Sequence, residues 1–454
     1  MGAQREKRPE TGAYVADAIM PARVPPAGEG GVWHWVRNHL LGNWRQVALT
    51  LFGLWLLYVI VPPVVSFFLL DAVWRGDNRE ACLPVQEGQA VGACWPFIQA
   101  KFHQLIYGFY PAQERWRVNL AYGLGAALLL PLLMIALPGK RLNAVLFFGV
   151  FPVVAFILLT GGHLGLSAFL PFLPAALGFW GQAAVVAITL LGATAFWSLW
   201  RVGPSALPRN LKRMGVMLVG TGLVLAAIDM DFGLAPIETR LWGGLLVTLV
   251  ITLTGITVSL PFGIALALGR RSRLPLVRIC TMAFIEFWRG VPVITVLFFA
   301  IYMLPLFLPG NMNIDALLKA LVGVALFASA YMAEVVRGGL EAVPKGQFEG
   351  AEALGLKRTL ALRLVVLPQA LRVAIPGITN TFIGLFKDTT LVLIVAIFDL
   401  LGALRAAFTD PNWATPSTLL TGFGFAGLIY FAFSFGMSRY AQALERHLNR
   451  EMRA

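Results

Sequence analysis

Long runs of apolar residues recur along almost the whole of this chain. A helix needs about 20 apolar residues to cross the hydrocarbon core of a bilayer, and only helices and closed barrels satisfy their own backbone there. Charged residues make up only 13% of the chain, whereas about a quarter of a soluble domain is charged. The sequence therefore predicts an all-α integral membrane protein. We expect about ten transmembrane helices, at 46–70, 118–137, 142–160, 176–200, 213–229, 241–269, 281–308, 316–335, 376–400 and 418–438.

Basic residues collect in every second connection between these runs. The net charge is +13, and most Lys and Arg residues fall on one side of the membrane if the chain starts inside the cell. Because short basic loops stay in the cytoplasm, we expect both termini to be cytoplasmic, and the charge does not indicate a nucleic-acid partner. The first 45 residues place no apolar stretch beside their basic start, which predicts no cleavable signal peptide. The basic loops contain Lys140 and Arg141, then Arg201, Arg209, Lys212 and Arg213, then Arg270, Arg271, Arg273 and Arg278.

The three cysteines divide by their expected compartment. Cys82 and Cys94 fall in the connection 71–117, the longest one expected outside the membrane. An oxidising periplasm would permit a disulfide between them, but two free thiols fit the sequence equally well. Cys280 lies at the inner edge of an expected span, where we interpret it as a small apolar residue.

The chain is expected to have three parts. Residues 1–45 form a polar cytoplasmic tail, and 46–230 form an accessory membrane region of about five helices with 71–117 as its periplasmic loop. The spans of this region carry almost no ionisable residue in their interiors, which fits a lipid-facing scaffold or an oligomer surface. Residues 231–454 hold the more polar motifs, including a polar connection at 337–375. No internal repeat pairs the two halves, which weakens the case for an inverted-repeat secondary transporter.

The polar connection has the pattern of two short amphipathic helices. Gly355 is expected to end the first helix, near 346–354, because glycine readily adopts the left-handed conformation found after helix C-termini. The second helix, at about 357–366, is expected to stop at Pro368, which has no backbone N–H to donate. Such an element would form a compact cytoplasmic projection; the alternative is a loop that merely caps the bundle. The first helix would present Gln347, Glu349 and Glu352 to water, with Phe348, Ala351 and Leu354 behind them.

Three groups of residues in this region have a characteristic spacing: Glu349-Gly350-Ala351, then Gly355, then Val365-Val366-Leu367-Pro368. This spacing resembles the Glu-Ala-Ala loop of permease subunits from binding-protein-dependent ABC importers. In that family Ala stands where this chain has Gly350, and Ile where it has Val365. The resemblance covers roughly 240–445 and implies that 231–454 is an ABC importer type I permease core, with 337–375 as its cytoplasmic coupling loop. Further motifs look like the polar-amino-acid branch of the family. An N-terminal extension of several helices on this core is similar to the general L-amino-acid permease subunits of Gram-negative bacteria. The further motifs are Glu286-Phe287-Trp288-Arg289-Gly290-Val291-Pro292, Glu334-Val335-Val336-Arg337-Gly338-Gly339-Leu340 and Phe386-Lys387-Asp388-Thr389-Thr390-Leu391.

The resemblance implies a division of labour between subunits. A periplasmic amino-acid-binding protein would deliver the substrate, this chain and a second related permease would form a heterodimeric path through the inner membrane, and two ATPase subunits would bind below. The sequence contains no Gly-x-x-x-x-Gly-Lys-Ser/Thr motif, so ATP is expected in a partner and no cofactor in this chain. Glu349 would anchor the loop in the ATPase and Gly355 would be its hinge. The implied ATPase-coupling residues are Gln347, Glu349, Gly350, Ala351, Gly355, Leu367 and Pro368.

Ionisable residues within or at the edges of expected spans are candidates for the translocation path. Each costs about 2.5 to 3.5 kcal/mol at the centre of a membrane helix, so such residues usually pair or face a cavity. Glu286 and Arg289 are three positions apart and could pair on one helix face. Asp388 could cap the second of two half-helices. The N-terminus of that half-helix, together with Lys387, could then receive a substrate carboxylate; the alternative is an internal Lys–Asp pair. The candidates are Glu286, Arg289, Glu334, Lys387, Asp388 and Thr389.

The leading interpretation is a non-catalytic membrane subunit of an ATP-driven importer for a broad, polar range of L-amino acids. Another small polar solute is an alternative substrate. An ion-coupled secondary transporter is a second alternative, but it would have no ATPase to dock on the polar connection. An intramembrane enzyme lacks support, because the five His residues show no metal-ligand spacing and no carboxylates form an embedded pair. We therefore expect neither a catalytic residue nor a metal.

Overall fold

The computed structural model describes residues 32–84, 91–134, 137–162, 178–197, 207–307 and 314–450. Most of the expected N-terminal tail and Arg201 of one basic loop lie outside the described residues. The chain divides into two compact units, Met1–Ala72 and Val73–Ala454, and each is described by itself. Within the described ranges the regular structure is helical, and β-pairing is limited to isolated bridges.

The first unit is dominated by one long apolar helix. A short helix, α1 (Val32–His39), precedes α2 (Trp44–Leu70). None of the residues in the most apolar window of α2 is buried within the structure, and the helix accommodates Pro62 and Pro63. A helix that is apolar on all sides needs an apolar environment, which agrees with the span expected at 46–70.

The second unit begins with five helices before residue 230. They are α3 (Trp95–Tyr107), α4 (Arg115–Leu133), α5 (Lys140–Thr160), α6 (Gly178–Trp197) and α7 (Leu207–Asp229). α4 packs against α5, and α7 contacts both α5 and α6. The helices α4 to α7 are long and apolar enough to cross a membrane, whereas α3 is a shorter helix within the connection expected at 71–117.

Eight further helices complete this unit, and α11 lies at their centre. They are α8 (Gly244–Arg270), α9 (Pro275–Gly290), α10 (Val293–Phe307), α11 (Ala316–Ala342), α12 (Lys345–Ala353), α13 (Arg358–Val395), α14 (Leu400–Ala407) and α15 (Pro416–Arg450). α11 packs against α8 and against α13. A Cβ on Gly339 of α11 would lie 2.4 Å from the carbonyl oxygen of Ala370 in α13. Small residues of this kind let helices approach closely in lipid, where no hydrophobic force drives their association.

The number of spans confirms the expected architecture. The described part of the chain has nine helices of membrane-spanning length, or ten if α9 and α10 count as one span. The span expected at 281–308 is, however, wrong as a single helix, because α9 and α10 meet at an angle of 100°. Val291 is extended, with φ −107° and ψ 130°, and Pro292 offers no N–H to continue the helix.

The helix break expected at Pro368 does not occur. α13 runs from Arg358 through Pro368 and Pro376 without interruption. A π-turn at Leu362–Val366 ends two positions before Pro368, and this wider turn accommodates a residue that cannot make the normal backbone hydrogen bond. The second amphipathic helix of the polar connection is therefore the first part of a long helix.

The described residues 73–84 and 91–110 fold against the C-terminal helices of the second unit. Cys82 and Cys94 are joined by a disulfide, with a Cα–Cα distance of 5.6 Å. The backbone N–H of Cys94 donates to Oγ1 of Thr421 at 2.9 Å, which ties this segment to α15. One buried apolar cluster contains Phe97, Ile98 and Leu105 of α3 together with Leu400, Leu404 and Trp413. The segment thus contributes to the core of the unit.

Candidate functional site

A short polar helix, α12, projects between the ends of two long helices. Only Val343 and Pro344 separate it from α11. At its C-terminal end Gly355 has φ +73°, and its N–H donates to the carbonyl oxygen of Glu352 at 2.9 Å. The N–H of Leu356 donates to the carbonyl oxygen of Ala351 at 3.1 Å, which completes a Schellman motif. The helix near 346–354 and its end at Gly355 are as predicted, and we call residues 345–356 the projecting segment.

The projecting segment has an exposed polar side and an apolar side. Gln347 and Glu349 are exposed, and a Cβ added at Gly350 would meet no atom within 4 Å. Ala351 is buried, as expected for the inner side. The placement of Leu354 on that inner side was wrong, because its side chain is 82% exposed. Leu354 lies beyond the last turn of α12, so the helix no longer directs its side chain inward.

The inner side of the projecting segment is attached to both neighbouring long helices. Phe348 packs on a buried cluster that includes Leu340 of α11 and Val366 of α13. Nε2 of Gln369 in α13 donates to Oε1 of Gln347 at 3.0 Å. The segment is therefore in direct contact with α11 and α13, and a displacement of one involves the others.

Three leucines give this end of the unit an exposed apolar surface beside the polar one. Leu354, Leu360 and Leu364 expose 82%, 44% and 59% of their side chains. Of the two other predicted coupling residues, Leu367 packs against the cluster below the projecting segment and Pro368 is exposed. Apolar side chains grouped on a surface that also carries charges are typical of a protein-binding site.

Six charged side chains meet where α8, α9 and α11 approach one another. Glu334 of α11 is at the centre and is only 14% exposed. Its Oε1 lies 2.7 Å from Nη1 of Arg270 and 3.6 Å from Nη1 of Arg289. Its Oε2 accepts from Nε of Arg337 at 2.7 Å. We call Arg270, Glu286, Arg289, Glu334, Arg337 and Glu341 the ionic cluster.

The ionic cluster corrects one predicted pairing and adds residues that the sequence did not point to. Glu286 pairs with Arg270 at 3.5 Å and Arg289 pairs with Glu334, so the pair expected within one helix is replaced by pairs between helices. Arg337 is three positions from Glu334 and pairs with it, a spacing that the sequence already offered. The sequence indicated Arg270 as a basic residue of a loop but did not indicate its pairing with Glu334, because the two residues are 64 positions apart.

Lys387, Asp388 and Thr389 lie where α13 changes its geometry. The helix is α-helical over Leu367–Asp388 and continues as a 3₁₀ helix over Thr389–Val395. Asp388 makes no side-chain cap bond, so the expected N-cap and the second half-helix are both wrong. Lys387 and Asp388 are exposed, and among the described residues neither side chain has a hydrogen-bond or ion-pair partner. Thr389 is buried, and its Oγ1 donates to the carbonyl oxygen of Phe386.

The residue that does cap a helix in this region is Asp399. It is fully buried, its Oδ1 accepts from the N–H of Gly402 at 2.9 Å, and its Oδ2 accepts from the hydroxyl of Tyr430 at 2.9 Å. Burial raises the pKa of this carboxyl above its ordinary value, although these hydrogen bonds oppose the shift. Asp399 was not among the residues expected from the sequence, yet its position just before the apolar run of α14 is an N-cap signal.

The bundle of long apolar helices and the projecting segment define a class: a multi-span helical membrane protein with a short polar helix between two of its long helices. Within the described residues, no group of three His, Cys, Asp or Glu side chains could hold a metal. Residues 259–450 match the model of the family described as binding-protein-dependent transport system inner membrane component. The chain belongs to this family of permease subunits, which are generally non-catalytic.

Three relatives show how far the similarity extends. The inner membrane amino-acid ABC transporter permease protein YhdY of Escherichia coli is 40% identical, over 91% of this chain and 92% of its own length. The glutamate/glutamine/aspartate/asparagine transport system permease protein BztC of Rhodobacter capsulatus is 38% identical, over 97% and 99%. The probable glutamine ABC transporter permease protein GlnP of Bacillus subtilis is 33% identical, over 45% and 92%. The first two therefore share nearly the whole chain, whereas the third is similar to less than half of it.

Proposed function

We propose that this chain is the permease subunit of an ATP-driven importer that moves L-amino acids of a broad, polar range from periplasm to cytoplasm. The observation that carries the proposal is the projecting segment, a capped helix that stands outside the apolar bundle and contacts two of its central helices. The names of YhdY, BztC and GlnP support amino acids as the substrate class. Another small polar solute is the alternative substrate.

The projecting segment would bind a groove in a separate ATPase subunit. Glu349 lies on its exposed side, and Leu354 adds an apolar side chain beside it. Buried apolar anchors with a polar rim are typical of protein interfaces. ATP would be bound and hydrolysed in that partner, and the segment would pass its movement to α11 through Val343 and Pro344 and to α13 through Gln347.

Lys387 and Asp388 are proposed to face the translocation path or the second permease subunit. These two charges are exposed on a membrane-length helix and have no partner in the described part of the chain. Contact with lipid would be costly for them, so a polar surface has to cover them. A zwitterionic amino acid offers both a carboxylate for Lys387 and an ammonium for Asp388. The other candidates for the path already form ion pairs within the protein. Glu286 pairs with Arg270, and Glu334 pairs with Arg270 and Arg289. These pairs favour a role in helix movement.

The remaining assignments follow from the same proposal. The positive charge of the loops supports an inner-membrane orientation with both termini in the cytoplasm. The importer would contain a second related permease subunit, two ATPase subunits and a periplasmic amino-acid-binding protein. Residues 231–454 would form the permease core, and 46–230 would be an accessory membrane region.

One experiment separates this function from an ion-coupled secondary transporter. The chain is purified from its native membranes with a tag, and the co-purifying ATPase and the ATP-dependent uptake of labelled amino acids into proteoliposomes are measured. Glu349→Arg should abolish both, because it reverses the charge on the exposed side of the projecting segment. Glu445→Arg is the matched control and should preserve both, since it makes the same charge change at an exposed residue outside the projecting segment. Uptake that runs on an ion gradient without ATP would contradict the proposal.

A further inference from the structure

We propose that Glu334 is a positioning residue for energy coupling, because it holds a latch between α8, α9 and α11 that opens when the projecting segment moves. The inference rests on the proposed function, since it requires an ATPase that acts on this segment. It concerns the ionic cluster alone and assigns no substrate contact to it.

Both carboxylate oxygens of Glu334 form ion pairs with arginines. Oε1 binds Arg270 at the end of α8 and approaches Arg289 of α9, whereas Oε2 binds Arg337 of its own helix. The guanidinium of Arg289 is also placed over the ring of Tyr331, with 5.9 Å from Cζ to the ring centroid. One carboxylate thus connects three helices, and its neutralisation would leave three arginines facing each other.

The positive and negative charges of the ionic cluster are equal in number. Three arginines face three glutamates, and the two outer carboxylates are far more exposed than Glu334: Glu286 by 60% and Glu341 by 53%. Exposed ion pairs contribute little to stability, so the outer pairs can exchange partners at small cost. The central pairs are more shielded, and their arrangement therefore selects one relative position of the three helices.

Apart from its ion pairs, α9 shares a small buried apolar cluster with α8 and α11. Among the described residues, the buried apolar cluster shared by α8, α9 and α11 consists of Leu266, Ile285 and Ala333, with Phe284 packed against it. The cluster between α8, α11 and α13 is much larger and includes Met332, Val336 and Leu340. Because few apolar contacts hold α9 in place, the ionic contacts carry more of its attachment, and α9 can shift without opening a large cavity.

Glu334 is connected to the projecting segment through the last turns of α11. Glu334 lies about two helical turns before Ala342, so roughly 12 Å of rigid helix separates it from the end of α11. Lys345 follows after two residues. A pull on the projecting segment would therefore move Glu334 relative to Arg270, which sits on a different helix.

The test uses the complete transporter in proteoliposomes, with and without substrate-loaded binding protein. In Glu334→Gln we expect normal assembly, but the ratio of uptake to ATP hydrolysis should fall by at least about fivefold, the lower end of typical coupling effects. Glu341→Gln is the matched control, because it removes an exposed carboxylate that pairs only with Arg337, and its ratio should stay near that of the wild type. An assembled Glu334→Gln complex with the wild-type ratio overturns the proposal.

A second measurement decides the question even if Glu334→Gln fails to assemble. Spin labels are placed at Arg271→Cys and Gly338→Cys in a Cys280→Ser background; both sites are exposed, and a Cβ at Gly338 would meet no atom within 4 Å. The distance between the labels should change when an ATP analogue binds. An unchanged distance in a complex that transports normally means that the latch does not open. If the wild type takes up no amino acid at all, the proposed function fails instead.

Discussion

Arg270 and Glu334 lie 64 positions apart in the chain, yet Nη1 of the arginine donates to Oε1 of the glutamate at 2.7 Å. The contact joins the last residue of α8 to the start of the final third of α11. It is the shortest contact between helices in the ionic cluster, and it lies about two helical turns from the projecting segment. The charges of this region therefore belong to the attachment between helices rather than to an open polar channel.

The turn at Gly355 should require glycine for conformational reasons alone. With φ +73° and no atom near an added Cβ, Gly355→Ala should lower the free energy of unfolding by about 1 kcal/mol, the usual cost of a left-handed conformation for an alanine. Thermal unfolding of the purified protein measures this. Gly350→Ala lies in the same segment, in a helical conformation, and should not destabilise. Equal losses in the two variants would show that conformation is not the cause.

The exposed side chain of Leu354 should matter for partner binding and not for folding. Leu354→Asp should leave thermal stability unchanged within about 0.5 kcal/mol, as is usual at exposed sites. It should weaken ATPase binding by about 2 kcal/mol, the scale of an interface hot spot. Titration of the purified ATPase onto the protein in nanodiscs gives the affinity. Ala353→Ser is a neighbouring control, and an unaltered affinity in Leu354→Asp would remove this side chain from the interface.

Asp388 should affect transport more than assembly. Because its carboxylate is exposed and has no partner among the described residues, Asp388→Ala should reduce amino-acid uptake by at least about tenfold, the effect of losing one charge-assisted contact of roughly 1.4 kcal/mol or more. The amount of assembled complex should stay the same. Asp77→Ala, an exposed aspartate before α3, provides the control for uptake. Normal uptake by the Asp388 variant would exclude this residue from the path.

The ion pair between Lys101 and Asp410 should make stability depend on pH at the acidic end. The hydrogen bond from Lys101, aided by the N–H of Asn412, lowers the pKa of the Asp410 carboxyl. Its folded-state pKa lies below the unfolded value of about 3.9, so the contribution is present above that value and is lost as pH falls through the folded pKa. The two side chains are 20% and 24% exposed, which limits the effect to about 1 kcal/mol.

Unfolding of the wild type and of Lys101→Met at neutral pH and near pH 3 measures this contribution. The wild type should lose more stability between the two conditions than the variant does. The same loss in both proteins would show that another carboxyl causes the acid sensitivity.

The disulfide Cys82–Cys94 should stabilise the segment that packs against α14 and α15. Its removal in Cys82→Ser/Cys94→Ser should cost about 2 to 4 kcal/mol, the typical contribution of a disulfide. Thermal unfolding and limited proteolysis at residues 73–110 both report this loss. Cys280→Ser serves as the control because Cys280 is free and exposed. An unchanged melting temperature in the double variant would mean that apolar packing alone orders the segment.

Local sequence patterns predicted the spans and the projecting segment well, because both features are determined by residues that are neighbours in the sequence. Apolar runs specify membrane helices, and Gly355 specifies a helix end through its own conformational freedom. The effects of proline were less predictable: Pro292 accompanies a 100° bend, whereas Pro368 is accommodated by a π-turn. The difference depends on the surrounding packing, which spacing alone does not reveal.

The sequence by itself determined the class of this protein, the approximate number of its spans and the location of the helix that projects from them. Only the tertiary structure decided which charges meet, that α3 packs into the core through Phe97 and Leu105, and that Leu354 points outward. The physical reason is that hydrophobic periodicity and helix termini are set by adjacent residues. The pairing of Arg270 with Glu334 instead depends on how closely α8 and α11 approach, which the small residues along both helices permit.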